Sequence, residues 1–181
     1  MRSFKTEGIV IKRFNYQEAD RIVTIFSKKH GKITIKAAGV RRITSRRSPH
    51  IELLNYSLFN LYQGKGMPVL TEVDCIENFS ALKEDLKKIG LAYHICELID
   101  GLCAENQENL EIFILLQRTL KNLSLGENLS KIIYDFEIEL LSLLGFYKST
   151  NPALLVNTQG LIENILERKL KTRQILPQFS S

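Results

Sequence analysis

Gly31-Lys32-Ile33-Thr34-Ile35-Lys36-Ala37-Ala38 decides how this chain is read. Ile33, Ile35 and Ala37 fall on one side of an extended backbone, and Lys32, Thr34 and Lys36 on the other. That is the period-2 alternation of a half-buried strand. Just before it, Asp20-Arg21-Ile22-Val23-Thr24-Ile25-Phe26-Ser27 is rich in β-branched and aromatic residues, and His30-Gly31 can turn it back into a hairpin. Outward from this hairpin lie Thr6–Lys12, Tyr56–Tyr62 and Val69–Ile76, the last two separated by a glycine- and proline-bearing turn over 63–68. Five short antiparallel strands without a long helix between them predict a small, partly open barrel of the OB-fold type.

The period changes after residue 79. Leu82, Leu86, Ile89, Tyr93, Cys96 and Ile99 follow helical spacing, with Ser80 placed to cap the helix. A second stripe runs Leu110, Phe113, Leu116, Leu120, Leu123. A third runs from Leu129 to Leu144 and stops at Gly145, the position a left-handed C-cap requires. A fourth helical stretch is expected near Leu161–Leu170. The fold class is therefore α+β: a five-stranded barrel over 1–79 followed by a small α-helical bundle over 80–181.

Charge divides along the same line. Residues 1–75 hold 14 Lys/Arg against 6 Asp/Glu, whereas residues 76–160 hold 7 against 12. A basic module joined to an acidic one points to different partners, the basic one taking a polyanion. There is no apolar run of membrane-spanning length and no secretory signal pattern at Met1-Arg2-Ser3-Phe4-Lys5, so a cytoplasmic location is expected. Cys75, Cys96 and Cys103 are odd in number and form no C-x-x-C pair; they read as small core residues, and no metal or other cofactor is expected.

The segment Lys36–Arg47 carries the most specific chemistry. It places Arg41, Arg42, Arg46 and Arg47 within seven residues, after a strand bearing Lys32 and Lys36. No carboxylate occurs between Asp20 and Glu52, so these six cations have no local counter-charge. Guanidinium forks suit phosphate oxygens, and Thr44, Ser45 and Ser48 add neutral donors. The alternative is a solvated charged loop. Phe14, Tyr16, Tyr56, Phe59 and Tyr62 are available as stacking platforms, although aromatics in strands are more often packing residues. No phosphate-binding glycine loop, nucleophile elbow or zinc-protease helix is present. The acidic pairs Glu18/Asp20 and Glu72/Asp74 lack the further carboxylates a two-metal nuclease needs, so the chain is not expected to be an enzyme. In the helical half, Arg118, Lys121 and Lys131 border leucine stripes; a basic rim on an apolar groove suits a short acidic peptide, and ordinary surface charge fits equally well.

The run Thr6–Lys32, followed by Lys36-Ala37-Ala38-Gly39-Val40-Arg41-Arg42, closely resembles the N-terminal domain of the bacterial RecO family. Tyr62–Gly66, Leu140–Phe146 and the stretch over 170–176 fit later parts of that pattern. The resemblance implies a recombination mediator that binds single- and double-stranded DNA and anneals strands. It also implies engagement of the C-terminal tail of single-stranded-DNA-binding protein, and help, with RecR, in loading a recombinase at gaps. It implies an association with the nucleoid. Many relatives carry a four-cysteine zinc segment after the helix ending Leu143-Leu144-Gly145; here residues 148–159 hold no cysteine, so that module reads as deleted.

Overall fold

Strand β1 (Arg2–Tyr16) is longer than alternation alone predicts because two neighbours share it. Its first half pairs with β4 (Tyr56–Gln63), from Arg2↔Gln63 to Ile9↔Tyr56. Its second half pairs with β2 (Asp20–Ser27), from Gly8↔Ser27 to Tyr16↔Asp20, with a register shift between Val10 and Lys12. Such an irregularity bends a strand and lets it change partners. With β3 (Gly31–Ala37) and β5 (Val69–Glu77) the order is β1-β2-β3-β5-β4, and the sheet closes into a barrel. The β3–β5 junction is parallel, not antiparallel as expected, and rests on one register pair, Lys36↔Val69. The computed structural model describes residues 2–126, 128–148 and 156–172.

The barrel is filled by the inward positions of the alternating strands, among them Val10, Val23, Ile25, Ile35, Phe59 and Leu61, all fully buried. Val40 and Ile51, from the connection between β3 and β4, enter the same core. Burying side chains of this size contributes roughly 1.5–3 kcal/mol each.

Contacts gather the residues into two units, Met1–Phe79 with Cys103–Phe113, and Ser80–Leu102 with Ile114–Ser181. Segment 103–113, expected within the helical half, groups with the barrel strands. The Asn106 amide donates to the Lys32 carbonyl at 2.8 Å, Lys32 bridges to Glu105, and Phe113 meets Tyr56 edge to face. At the β2–β3 turn, Gly31 has φ +63°, and a Cβ there would lie 1.8 Å from the Gln107 carbonyl oxygen.

In the second unit the first expected helix is two: α1 (Ser80–Lys83) and α2 (Leu86–Leu102). The break falls at Asp85, whose carboxylate accepts the amides of Lys87 and Lys88 at 2.8 and 3.1 Å and so caps α2. Asn109 caps α3 (Leu110–Leu125), and Asn128 caps α4 (Leu129–Leu143). Gly145, at φ +79°, ends α4 as its spacing predicts, with the Phe146 amide reaching back to the Leu141 carbonyl. Helix α5 spans Thr158–Leu166, starting earlier than expected because Asn157 caps it. Residues 173–176 of the terminal motif lie outside the described residues.

Buried polar groups tie these helices together. His94, fully buried on α2, contacts Glu137 through Nε2 at 2.7 Å and the Thr172 hydroxyl through Nδ1 at 2.9 Å. Thr158 donates to the other Glu137 oxygen at 2.5 Å. The Thr172 hydroxyl donates to Glu97 at 2.7 Å, so it accepts from His94. Glu97 also receives the amides of Lys171 and Thr172, both at 2.9 Å, and Arg168 at 2.7 Å. Burial pushes the Glu97 carboxyl up, but these hydrogen bonds outweigh it and hold the group at about 2.

Two outcomes follow. Gly31→Ala combines a positive φ with a backbone clash and is expected to cost about 2–4 kcal/mol in a denaturant titration. Glu97 is depressed from 4.5, so its stabilisation is complete above that pH and fades as pH falls towards 2. Unfolding free energies of the wild type and Glu97→Gln should differ at neutral pH and converge near pH 2.

Candidate nucleic-acid interface

The connection from Ala38 to Asn55 is anchored at both ends before it presents any charge. Gly39, at φ +65°, gives its amide to Asp20 Oδ1 at 2.7 Å, and the Arg41 amide reaches the Ala19 carbonyl at 2.9 Å. Val40 and Ile51 plug the barrel. Between these anchors Arg41, Arg42, Ile43, Thr44 and Arg46 are exposed, and Ile43 is completely so.

The six predicted cations separate into distinct roles. Arg47 is committed to the fold: its two terminal nitrogens donate to the Leu70 carbonyl at 2.8 Å and the Ala38 carbonyl at 2.7 Å. Lys36 pairs with Asp20 at 3.0 Å and lies 5.6 Å from the centre of the Tyr16 ring. Its counter-charge is therefore the residue at the edge of the acid-free stretch, brought across the hairpin. The Gly39 amide, and then Lys36, hold the Asp20 carboxyl below its ordinary range. Lys32 is only 7 % exposed, where Cys103–Asn106 runs beside β3, and this corrects its expected place on a phosphate. Arg41 gives one N–H to the Gln17 carbonyl at 3.1 Å and keeps others for a ligand. Arg42 and Arg46 carry no ion pair among the described residues. Glu52, the acid at the far edge, is occupied by Arg13 and Arg21 at 2.6 and 3.4 Å.

Arg42, Arg46 and Arg47 line a cavity of about 470 Å³ with Gly39, Thr44 and Ser45. Ser45 Oγ is buried and has no hydrogen-bond partner. A buried hydroxyl without a partner is costly, and its residue is one of those that line this arginine-rich cavity. An anion with several acceptor oxygens suits the exposed Arg42 and Arg46 there. Of the candidate stacking rings, Phe14 and Tyr16 are exposed, at 51 % and 42 %, whereas Tyr56 and Phe59 are core. Tyr62 is half-buried.

Residues 1–79 match the family model described as recombination protein O N terminal, and residues 83–152 match recombination protein O C terminal. The chain is 40 % identical over 147 residues to the DNA repair protein RecO of Acetivibrio thermocellus, an alignment covering 81 % of this chain and 59 % of that protein. It is 36 % identical over 145 residues to the RecO of Roseiflexus sp. (80 % and 51 %), and 32 % over 168 residues to that of Symbiobacterium thermophilum (91 % and 65 %). The chain belongs to the RecO family. It spans 51–65 % of the length of these RecO relatives.

In the helical unit of this RecO chain, Arg118, Thr119, Ile132 and Phe136 line a cavity of about 330 Å³. Asp135 and Glu139 line it too. Arg118 pairs with Glu139 at 2.5 Å and Lys131 with Asp135 at 2.7 Å, so the expected basic rim is largely neutralised on the spot. Lys121 is exposed on α3 and does not line this cavity. Of the acids weighed for a nuclease, Asp20 is engaged as above and Glu72 accepts from Asn60 at 3.1 Å. Among the described residues no group of three His, Cys, Asp or Glu side chains is placed to hold a metal ion, and no helix is long and apolar enough to cross a membrane.

The division of the arginines is open to direct measurement. Arg47→Ala leaves two carbonyls without their donor and is expected to lower the unfolding free energy by about 1–3 kcal/mol. Arg42→Ala and Arg46→Ala, at exposed positions, should stay within about 0.5 kcal/mol of wild type in the same denaturant titration.

Proposed function

We propose that this chain binds DNA through the Gly39–Arg47 loop, using Arg41, Arg42 and Arg46 on phosphate oxygens and Ser45 as a neutral donor. One observation carries the reading: a cavity lined by Arg42, Arg46 and Arg47, of which exposed Arg42 and Arg46 carry no ion pair among the described residues. Phosphate offers fixed acceptor oxygens matched to the arginine fork. Tyr16, exposed at the end of β1 and beside Lys36, supplies a stacking face next to that cavity's loop. The role is one of binding, not catalysis.

Family membership supports the finer role. A RecO-type mediator lowers the repulsion between two DNA strands by neutralising phosphate, anneals them, and helps load recombinase at gaps coated with single-stranded-DNA-binding protein. The acidic tail of that protein, and RecR, are proposed partners. For such a tail to enter the cavity beside Arg118, the Arg118–Glu139 pair must exchange for a pair with the incoming carboxylate.

Magnitude tests the loop. Three phosphate contacts to a single strand give a log–log salt slope of about −2, so a fourfold rise in salt weakens binding about 20-fold. Six contacts would give about −4 and a loss of several hundred-fold. The variant Arg41→Glu/Arg42→Glu/Arg46→Glu should retain its thermal unfolding midpoint and lose at least about 20-fold in affinity for a labelled oligonucleotide at low salt, read by fluorescence anisotropy. Unchanged affinity in a folded variant rules out the loop.

A further inference from the structure

A second basic surface lies on the barrel, away from the arginine loop in its residues. Arg2, Lys5 and Lys29 border a cleft of about 580 Å³ that also includes Phe4, His30 and Asn106; it shares no lining residue with the loop cavity. Chain pairing builds it. Arg2↔Gln63 at the start of β1 brings the N-terminal strand to the β4–β5 turn, and the tight turn after β2 adds Lys29 and His30.

Three features of this cleft point to one ligand class. Arg2, Lys5 and Lys29 are exposed, and none forms an ion pair among the described residues. No carboxylate lines the cleft among the described residues. Glu7, the acid whose charge Lys29 feels, is already engaged by the Tyr56 hydroxyl and by Lys28 at 3.2 Å, which hold its carboxyl low. Phe4 and His30 meet edge to face, with ring centres 4.8 Å apart and planes at 70°, so aromatic surface and unneutralised cations border the same space. Cations supply phosphate neutralisation, and rings supply a face for a base. Together these are the parts of a single-stranded nucleic-acid site. The volume falls in the range of pockets that enclose one small ligand (~300–1,000 Å³), which suits an unstacked nucleotide and not a duplex, whose bases hide their faces.

We infer that the Arg2/Lys5/Lys29 cleft with its Phe4–His30 floor is a second contact site for single-stranded nucleic acid. This rests on the reading of the chain as a nucleic-acid binder and extends it from one surface to two. A longer strand engages both surfaces at once, so the cations available to its phosphates rise from three to six.

The test uses the full chain and an oligonucleotide carrying 2-aminopurine, whose fluorescence falls when the base stacks. The chain has no tryptophan to obscure the signal. The wild type should quench the probe and show a salt slope nearer −4 than −2. Arg2→Glu/Lys5→Glu/Lys29→Glu should shift the slope by about 2 units and weaken binding at least tenfold. His30→Ala should reduce the quenching while leaving the slope in place, and circular-dichroism melts confirm that each variant is folded. No binding by the wild type defeats the nucleic-acid reading itself. Binding that is lost in the arginine-loop variant yet unchanged in slope and quenching in the cleft variants overturns only the second site. Should an acidic Asp/Glu peptide bind the wild type in a manner abolished by the cleft substitutions, while the oligonucleotide is indifferent to them, the cleft belongs to a protein partner and the proposal fails.

Discussion

The barrel closes at a thin seam, and one arginine spans it. β3 and β5 run parallel and share a single register pair, Lys36↔Val69, supported by the Lys36 amide on the Pro68 carbonyl at 2.8 Å. Arg47 adds the rest: one guanidinium links the Ala38 carbonyl, just beyond β3, to the Leu70 carbonyl on β5. Parallel pairing is weaker per residue than antiparallel pairing, so two charge-assisted hydrogen bonds at this point matter more than they would elsewhere in the sheet. The same bonds fix the far end of the loop that begins at Gly39. With Asp20 holding one end and Arg47 the other, Arg41–Arg46 is displayed from a fixed base. An anion meeting such a loop encounters donors that have already lost much of their conformational freedom, which is how preorganisation raises affinity without adding contacts.

Much of this was legible in the residues. Alternation over Gly31–Ala38 located the hairpin because one face of the strand is core and the other is not. Helical spacing located α3 and α4, and Gly145 marked the end of α4 because only a left-handed residue completes that cap. The failures among the cations share a cause: each depends on a contact the local pattern does not show. Lys36 looked unpartnered until the hairpin brought it to Asp20. Lys32 sat correctly on the outer face of β3, but segment 103–106 runs along that face, and nothing in the local pattern foretold it. Arg47 read as one of four equivalent cations, although its donors serve backbone carbonyls. The Asp85 break between α1 and α2 was within reach, since an aspartate ahead of an apolar stripe is a capping signal; the continuity of that stripe concealed it.

The basic cleft was missed for the same reason. Arg2, Phe4 and Lys5 lie in the first strand, Lys29 and His30 in a turn more than twenty residues later, and the pairing of β1 with β2 brings them together. A cluster dense in sequence, such as Arg41–Arg47, draws attention because of its spacing, yet one of its four arginines is structural. A cluster dispersed in sequence is invisible to spacing and can hold as many free charges. Counting cations is therefore a poor guide to a polyanion site; what decides is how many retain their charge after the fold has taken its share.

That remainder is what sets the character of binding. Ion pairs such as Lys36–Asp20 and Arg118–Glu139 remove cations from the pool that can release counterions, and they also suppress indiscriminate attraction. A few free arginines and lysines would make each proposed surface weak and steeply salt-dependent when engaged alone. Weakness of this kind would suit the proposed role, in which strands are held only until they pair. Contacts that go to phosphate and to base faces carry no sequence preference, and once two strands pair, their bases withdraw from any aromatic platform, so the ring contribution, about 1–3 kcal/mol per base, is surrendered. A site built from unpaired cations and rings, as proposed, would thus grip single strands and loosen as they become duplex, and the release would need no energy source beyond the pairing itself.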